Sequence, residues 1–173
     1  SFLGMGNRLD CREERMITCT FEKGYNAKLR HVVVHAIVEK DNGILLVKRT
    51  GDLLESGKWG LPGGYLDRDE TAPEGALREL FEETGLRVTP EALGEVKHVL
   101  PFKMFWQSGH YETGIAHFFE LQVSEDFKLN DASWTQDEHR DIIEYRWWNV
   151  QELLQSGERI GPPGLSELLA HRF

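Results

Sequence analysis

The sequence predicts a single α/β domain built in layers, and three observations carry that expectation. Strand-like and helix-like segments alternate along the chain, one helix carries sequence signals at both of its ends, and no internal repeat or low-complexity tract breaks the pattern. At 173 residues the chain corresponds to one domain of about 150 residues with a short appendage. Hydrophobic residues make up 40%, and 17 glycines bring the total to the usual globular share, so a core can be buried. Residues 1–30 read as an uninformative leading segment, with Ser1–Gly4 ahead of Met5 an expression remnant, and 31–173 as the domain.

The first elements follow from turn and strand chemistry. Residues 31–39 are rich in Val and Ile, Asp41-Asn42-Gly43 supplies a tight turn, and 44–49 resume an apolar strand, which together predict a β-hairpin. Residues 53–64 contain Gly57, Gly60, Pro62, Gly63 and Gly64 and read as a loop in which the backbone turns sharply or approaches something closely. Thr71 with Glu74 three residues on forms a capping box, Pro73 is tolerated in the first turn, and Gly85 offers a left-handed stop, so a helix is expected over 72–84. Strands are expected at 95–100, 115–123 and 142–148, with a polar, mobile-looking connector over 130–141. Asn149 and Glu152 start a short helix, and Pro162-Pro163 separates it from a last helix at 165–172.

Charge and cysteine content exclude several function classes. Twenty Lys and Arg against 29 Asp and Glu leave a net charge of −9, which argues against nucleic acid as a partner unless a metal mediates the contact. Cys11 and Cys19 are too few for a disulfide scaffold and read as inert, no Cys-x-x-Cys pair suggests zinc, and a reducing cytoplasm is expected. The longest apolar runs fall short of a membrane span, and no secretory leader pattern is present, so a soluble protein with no membrane partner is expected.

The chemistry concentrates on the 72–84 helix. With Glu79 at zero on a 100° wheel, Glu83 sits at about 40° and Glu82 at about 300°, so three carboxylates share one arc. Ala76, Leu77, Leu80 and Phe81 form an adjoining core-facing stripe. Arg78 flanks the acidic arc and can orient a carboxylate through its guanidinium fork, while Gly75 leaves space there for something to occupy. Such an arc can be a solvated face. Beside an apolar stripe, however, like charges repel and lose hydration, and Mg²⁺ or Mn²⁺, with their preference for hard oxygen ligands, would compensate them.

Gly64, Glu70, Arg78-Glu79-Leu80, Glu82-Glu83 and Gly85-Leu86 meet all nine fixed positions of a 23-residue signature, G-x5-E-x7-R-E-U-x-E-E-x-G-U, U being a bulky aliphatic. On these residues the chain resembles the Nudix hydrolases. The approach, Gly57 to Gly64, and the segment Arg146-Trp147-Trp148 with Glu152-Leu153 resemble the family as well, so the likeness spans about 31–155. The resemblance implies an α/β/α sandwich with a mixed β-sheet. It also implies hydrolysis, by water, of a nucleoside diphosphate linked to another group, with a divalent metal bound at the signature. On matching positions it makes Glu79, Glu82 and Glu83 metal ligands or base and Arg78 their orienting partner, with the carbonyl of Gly63 or Gly64 a further ligand. Glu70 is expected to support the loop or the helix start. The family also recruits acids outside the signature, which brings in Asp137, Glu138, Asp141 and Glu144, with the last two preferred; each also reads as a solvated charge.

Substrate clues are fewer. Pro101, 15 residues past Leu86, resembles a marker of enzymes hydrolysing ADP-ribose, although a lone proline also reads as a turn. Phe102, Phe105, Trp106, His110 and Tyr111 either stack a nucleobase or form a lid packed on the core. His31 and His35 read as structural or partner-facing, and Lys48, Arg49 and Lys58 as phosphate contacts or solvated strand ends. The expected activity is a Mg²⁺-dependent pyrophosphohydrolase of an ADP-ribose-like or nucleotide-sugar-like compound. A nucleoside triphosphate or dinucleotide polyphosphate hydrolase, or a nucleotide-sensing domain without turnover, stands as the alternative. A homodimer is compatible with the sequence. The isoprenoid isomerase branch of this fold needs a mid-chain cysteine, and none follows Cys19.

Overall fold

Strands β2 (His31–Lys40) and β3 (Gly43–Arg49) form the expected hairpin, with Asp41 in the left-handed region at φ 54, a conformation that Asp tolerates better than branched residues do. The computed structural model describes residues 16–21, 31–49, 57–67, 69–106, 108–132, 134, 136 and 142–172. Within these, the two hairpin strands pair with each other next to the turn, Glu39 opposite Ile44 and Lys40 opposite Gly43, and then splay apart. β2 takes β7 (Tyr111–Gln122) as a parallel neighbour along its length and β5 (Gly63–Tyr65) as an antiparallel one. β3 takes β8 (Ile142–Asn149) and the short β4 (Trp59–Gly60). β6 (His98–Trp106) pairs with β7, β1 (Met16–Phe21) adds to β6, and β9 (Ile160–Gly161) runs parallel to β4. The result is one mixed, curled sheet with two wings hinged at the hairpin turn.

The splay sets where the core lies, because β2 is buried on both faces and its near-continuous apolar run follows from that. Val33 and Ile37 face into the wedge between the wings, against Leu46, Trp59, Phe118 and Trp148. Helices α3 (Val150–Gln155) and α4 (Leu165–Arg172) close that wedge with Leu153, Leu165 and Leu169. Val34, Ala36 and Val38 face the other way, under Ala76 and Leu80 of α1 (Ala72–Thr84). Helices thus cover both faces of the sheet, as the α/β expectation requires. At the end of α4, Arg172 contacts Glu39 and donates from Nε to Glu120 at 2.6 Å, tying the helix to β2 and β7. None of the helices among the described residues is long and apolar enough to cross a membrane.

The helix ends are as the sequence states them: Thr71 caps α1 reciprocally with Glu74, and Gly85 stops it at φ 74. Phe81 departs from the expected stripe. It lies at the edge of the core, half-buried beneath the Arg87 guanidinium at 4.2 Å. The 53–64 loop contains β4 and the start of β5, strands too short for periodicity to reveal. β6 occupies 98–106 rather than 95–100 and runs through Pro101. The register partner of Pro101 on β7 is Ile115. A one-turn helix α2 (Pro90–Leu93), capped by Thr89, and β1 in the leading segment are additions that patterning did not predict.

Leu80 is the fully buried centre of the α1 contact. Leu80→Ala should therefore cost about 2–5 kcal/mol by denaturant unfolding, whereas Thr71→Ala should cost about 1 kcal/mol.

Candidate active site

The acidic arc of α1 is more buried than a solvated face. Glu79 and Glu83 are 1% and 0% exposed, while the Glu82 side chain keeps 26% of its surface. Two arginines answer this charge. Arg78 grips Glu70 with both arms of its fork, Nε to Oε2 at 2.7 Å and Nη2 to Oε1 at 3.0 Å, and Nη2 also donates to the Tyr65 carbonyl at 3.1 Å. Its Nη1 reaches Glu79 at 3.1 Å and Glu82 at 3.3 Å, so one side chain spaces both carboxylates. Arg49, at the end of β3, donates from Nη2 to Glu83 at 2.9 Å. Burial, opposed by the Arg49 charge and reinforced by Glu79, pushes the Glu83 carboxyl up to about 7.

Glycines let the helix and the sheet come this close. A Cβ on Gly75 would stand 2.2 Å from Leu66 Cδ2 and 2.9 Å from Glu70 Oε1, so the space seen in the sequence is filled by these two side chains. A Cβ on Gly63 would stand 2.0 Å from the Val34 carbonyl oxygen. Gly63 N–H points to Glu83 Oε2 at 3.4 Å, and in a strand the N–H and C=O of one residue share an edge, so the Gly63 carbonyl also turns away from β2. Gly64 stands opposite Val34, within the ladder set by Leu66 N–H to Val32 O and Ala36 N–H to Pro62 O. The C-terminus of α1 is held from the connector: Trp134 Nε1 donates to the Glu83 carbonyl at 2.7 Å and Asn130 N–H to the Thr84 carbonyl at 3.0 Å. At these two residues the connector is anchored rather than mobile.

The structure gathers some of the expected residues and separates others. Arg49, Lys58, Gly63 and His35 line one recess beside Glu83, between β2, β3, β5 and the Gly161-Pro162 segment. Glu144 does not join the acidic arc: it is exposed on β8 with Lys48 as its register partner, because β8 adds to the far edge of β3. Asp137, Glu138 and Asp141 lie outside the described residues, as does the Trp106 side chain. Phe105 and Tyr111 meet at a tilt of 40° with ring centroids 5.8 Å apart and do not line the recess. They share the sheet face opposite Met104 and Glu112, since side chains alternate along the strand. Phe102 is core, its ring lying over Gly114. Among the described residues no three carboxylate or imidazole groups stand ready around a single point, because Arg78 and Arg49 already engage the three glutamates.

Two features of this region have no local sequence signal. His31 Nε2 meets the buried Glu112 at 2.7 Å, a pairing between residues 81 apart. His35 is stacked on Phe118 at 5.3 Å. Burial, aided by the Arg49 charge and opposed by the Leu61 backbone beside the ring, lowers its imidazole to about 3. A strand histidine gives no hint of either environment until its neighbours are known.

A model of the NUDIX domain matches residues 29–169. A phosphatase NudJ of Escherichia coli (strain K12) is 29% identical over 132 residues, 76% of each chain. A MutT-like protein of Streptomyces ambofaciens is 45% identical over 65 residues; the match spans 38% of this chain and 40% of that protein's length. Among solved structures, a MutT protein from Methanosarcina mazei Go1 superposes with a TM-score of 0.61 at 25% identity, covering 85% of this chain and 95% of that one.

Glu70 yields a pH prediction. Burial would raise its carboxyl, but the Arg78 hydrogen bonds, the Asp67 N–H and the Arg78 charge outweigh it and hold the group below the ordinary value of 4.5. Its stabilising contribution is therefore complete above about pH 4.5 and is lost as pH falls through the lower folded value. Glu70→Gln should lower stability by about 1.5–3 kcal/mol at pH 7 and flatten the acid limb of a urea-midpoint profile below pH 4.5.

Proposed function

The chain belongs to the NUDIX family of hydrolases acting on phosphorus anhydride bonds, and on that premise we propose that it cleaves the diphosphate of a nucleoside diphosphate linked to a further group. One observation supports this reading above the others: two carboxylates of the same helix turn are buried at the rim of a cleft, with a third partly exposed beside them. A fold seeking stability alone gains nothing from that arrangement.

The donor set fits a hard divalent cation, Mg²⁺ or Mn²⁺. Glu79, Glu82 and Glu83 would hold it with the carbonyl of Gly63, favoured over Gly64 because it turns away from the β2 ladder. When bound, the ion supplies charge neutralisation on the phosphoryl oxygens and a more acidic water. The chain's own side chains do the rest. Arg78 spaces Glu79 and Glu82 and fixes their orientation through Glu70 and the Tyr65 carbonyl. Glu82, the most accessible of the three, takes the proton of the attacking water. Arg49 and Lys58 meet the phosphates from the facing side of the cleft. Asp141 and Glu144 rank after Glu82 as candidate bases for this step, Glu144 the weaker because β8 carries it away from the arc. An ADP-ribose-like or nucleotide-sugar-like substrate rests on Pro101 alone, with nucleoside triphosphates and dinucleotide polyphosphates as the alternative.

Assayed with magnesium against ADP-ribose, NADH, nucleotide sugars, dinucleotide polyphosphates and nucleoside triphosphates, the protein should hydrolyse at least one. Activity should vanish with a chelator and return with Mg²⁺ or Mn²⁺. Glu82→Gln should lower kcat by about 10²-fold or more with the fold intact. Tight nucleotide binding with no turnover across the panel would instead establish a sensing domain.

A further inference from the structure

The three glutamates of the arc are fixed from different wings of the sheet. Arg78 ties Glu79 and Glu82 to Glu70 and to the Tyr65 carbonyl of β5, the strand paired with β2. Glu83 is held from the other wing. Its carboxylate accepts from Arg49 at the end of β3 at 2.9 Å, with the Gly63 N–H more distant at 3.4 Å. Its main-chain carbonyl accepts from Trp134 Nε1 at 2.7 Å. The half-buried Trp134 ring meets Tyr145 edge-on at 6.3 Å, and Tyr145 stands opposite Val47 on β3, two residues before Arg49. The shortest contacts of the Glu83 backbone and side chain thus come from one wing.

Glu83 is also the next-to-last residue of α1, where a helix leaves carbonyls without intrahelical partners and frays first. Gly85 N–H answers the Phe81 carbonyl at 2.9 Å, and the connector answers the next ones: Trp134 meets the Glu83 carbonyl, and Asn130 N–H meets that of Thr84 at 3.0 Å. No basic residue stands in this last turn. A Lys or Arg there would cap the helix more strongly through its dipole, but beside Glu82 and Glu83 it would add a charge that competes with a metal ion for their oxygens. An indole N–H supplies the cap without the charge.

We propose that Trp134 is a positioning residue for the metal-binding arc: by capping the Glu83 carbonyl from the wing that also carries Arg49, it sets where the Glu83 carboxylate stands relative to Glu79 and Glu82. The inference deepens the hydrolase reading and rests on it for the identity of the site. A ligand set divided between two wings keeps its spacing only if each part is fixed to its own wing, and a cation needs its oxygens placed within about half an ångström. With the cap lost, the last turn gains freedom and the carboxylate spacing broadens, while the rest of the helix stays packed through Leu80. The consequence falls on metal affinity more than on global stability.

Two measurements on the full, chelator-treated chain test this. In Mn²⁺ titrations followed by calorimetry, Trp134→Phe, which keeps a ring against Tyr145 but has no donor, should bind the ion about tenfold more weakly, with a melting midpoint no more than about 5 °C lower. Thr71→Ala, which removes a neutral cap from the other end of the same helix, should lose comparable stability and keep its Mn²⁺ affinity within about twofold. In isotopically labelled wild type, the Trp134 indole N–H signal, assigned by its contacts with the Tyr145 ring, should shift on addition of Mg²⁺. Unchanged affinity in a folded Trp134→Phe, an equal loss in Thr71→Ala, an indole signal indifferent to Mg²⁺, or a wild type that binds no Mn²⁺ would each overturn the positioning role. If Trp134→Phe does not fold, the wild-type indole signal decides alone. A wild type that binds Mn²⁺ yet hydrolyses no compound of the substrate panel defeats the hydrolase reading, and the titrations then decide the positioning role by themselves.

Discussion

Burying like charges on one helix turn is the constraint that the rest of this structure answers. Glu79 and Glu83 lie against an apolar sheet with almost no contact with water, and each would be costly without compensation. The fold supplies the compensation from two directions. Arg78 comes from the same helix and is anchored by Glu70 and the Tyr65 carbonyl, and Arg49 comes from the end of a strand on the other wing. The Glu83 carboxyl is nonetheless pushed up to about 7, because burial and the Glu79 charge outweigh the Arg49 charge beside it.

The split hairpin makes this possible. Had β2 and β3 stayed paired along their length, Arg49 would lie beside the start of β2, with no opening between them. Because the strands separate after two residue pairs, β5 fits against β2 and β4 against β3, and the Leu61-Pro62 link between those short strands crosses the gap. Gly63 sits at that crossing, where any side chain would strike the Val34 carbonyl. The same opening places buried His35 at the floor of the recess. Core and cleft are therefore two ends of one space, apolar where α3 and α4 close it and polar where Arg49 and Lys58 rim it.

The aromatic cluster shows how a residue type can mislead. Phe102, Phe105 and Tyr111 lie close together in sequence near a hairpin tip, which suggests a common surface. Strand alternation assigns them to opposite faces: Phe102 packs in the wedge over Gly114, and Phe105 and Tyr111 pair at a tilt on the outer side. Composition supplies the rings, and the pleat decides what each one meets.

What the sequence determined by itself was local. The cap at Thr71, the stop at Gly85, the turn at Asp41, the cap at Asn149 and the acidic arc of α1 depend on residues within a few positions of one another, and all stand where their spacing puts them. The role of Arg78 was legible for the same reason, since Glu79 and Glu82 are its helical neighbours. Tertiary structure decided which distant groups meet: Arg49 with Glu83 across 34 residues, Trp134 with the Glu83 carbonyl across 51, His31 with Glu112 across 81. It also carried Glu144 away from the arc and enclosed His35. Such contacts depend on the order and hand of strand pairing and on where the hairpin splays, and no short-range pattern records these, because the energy that selects them comes from packing over the whole sheet.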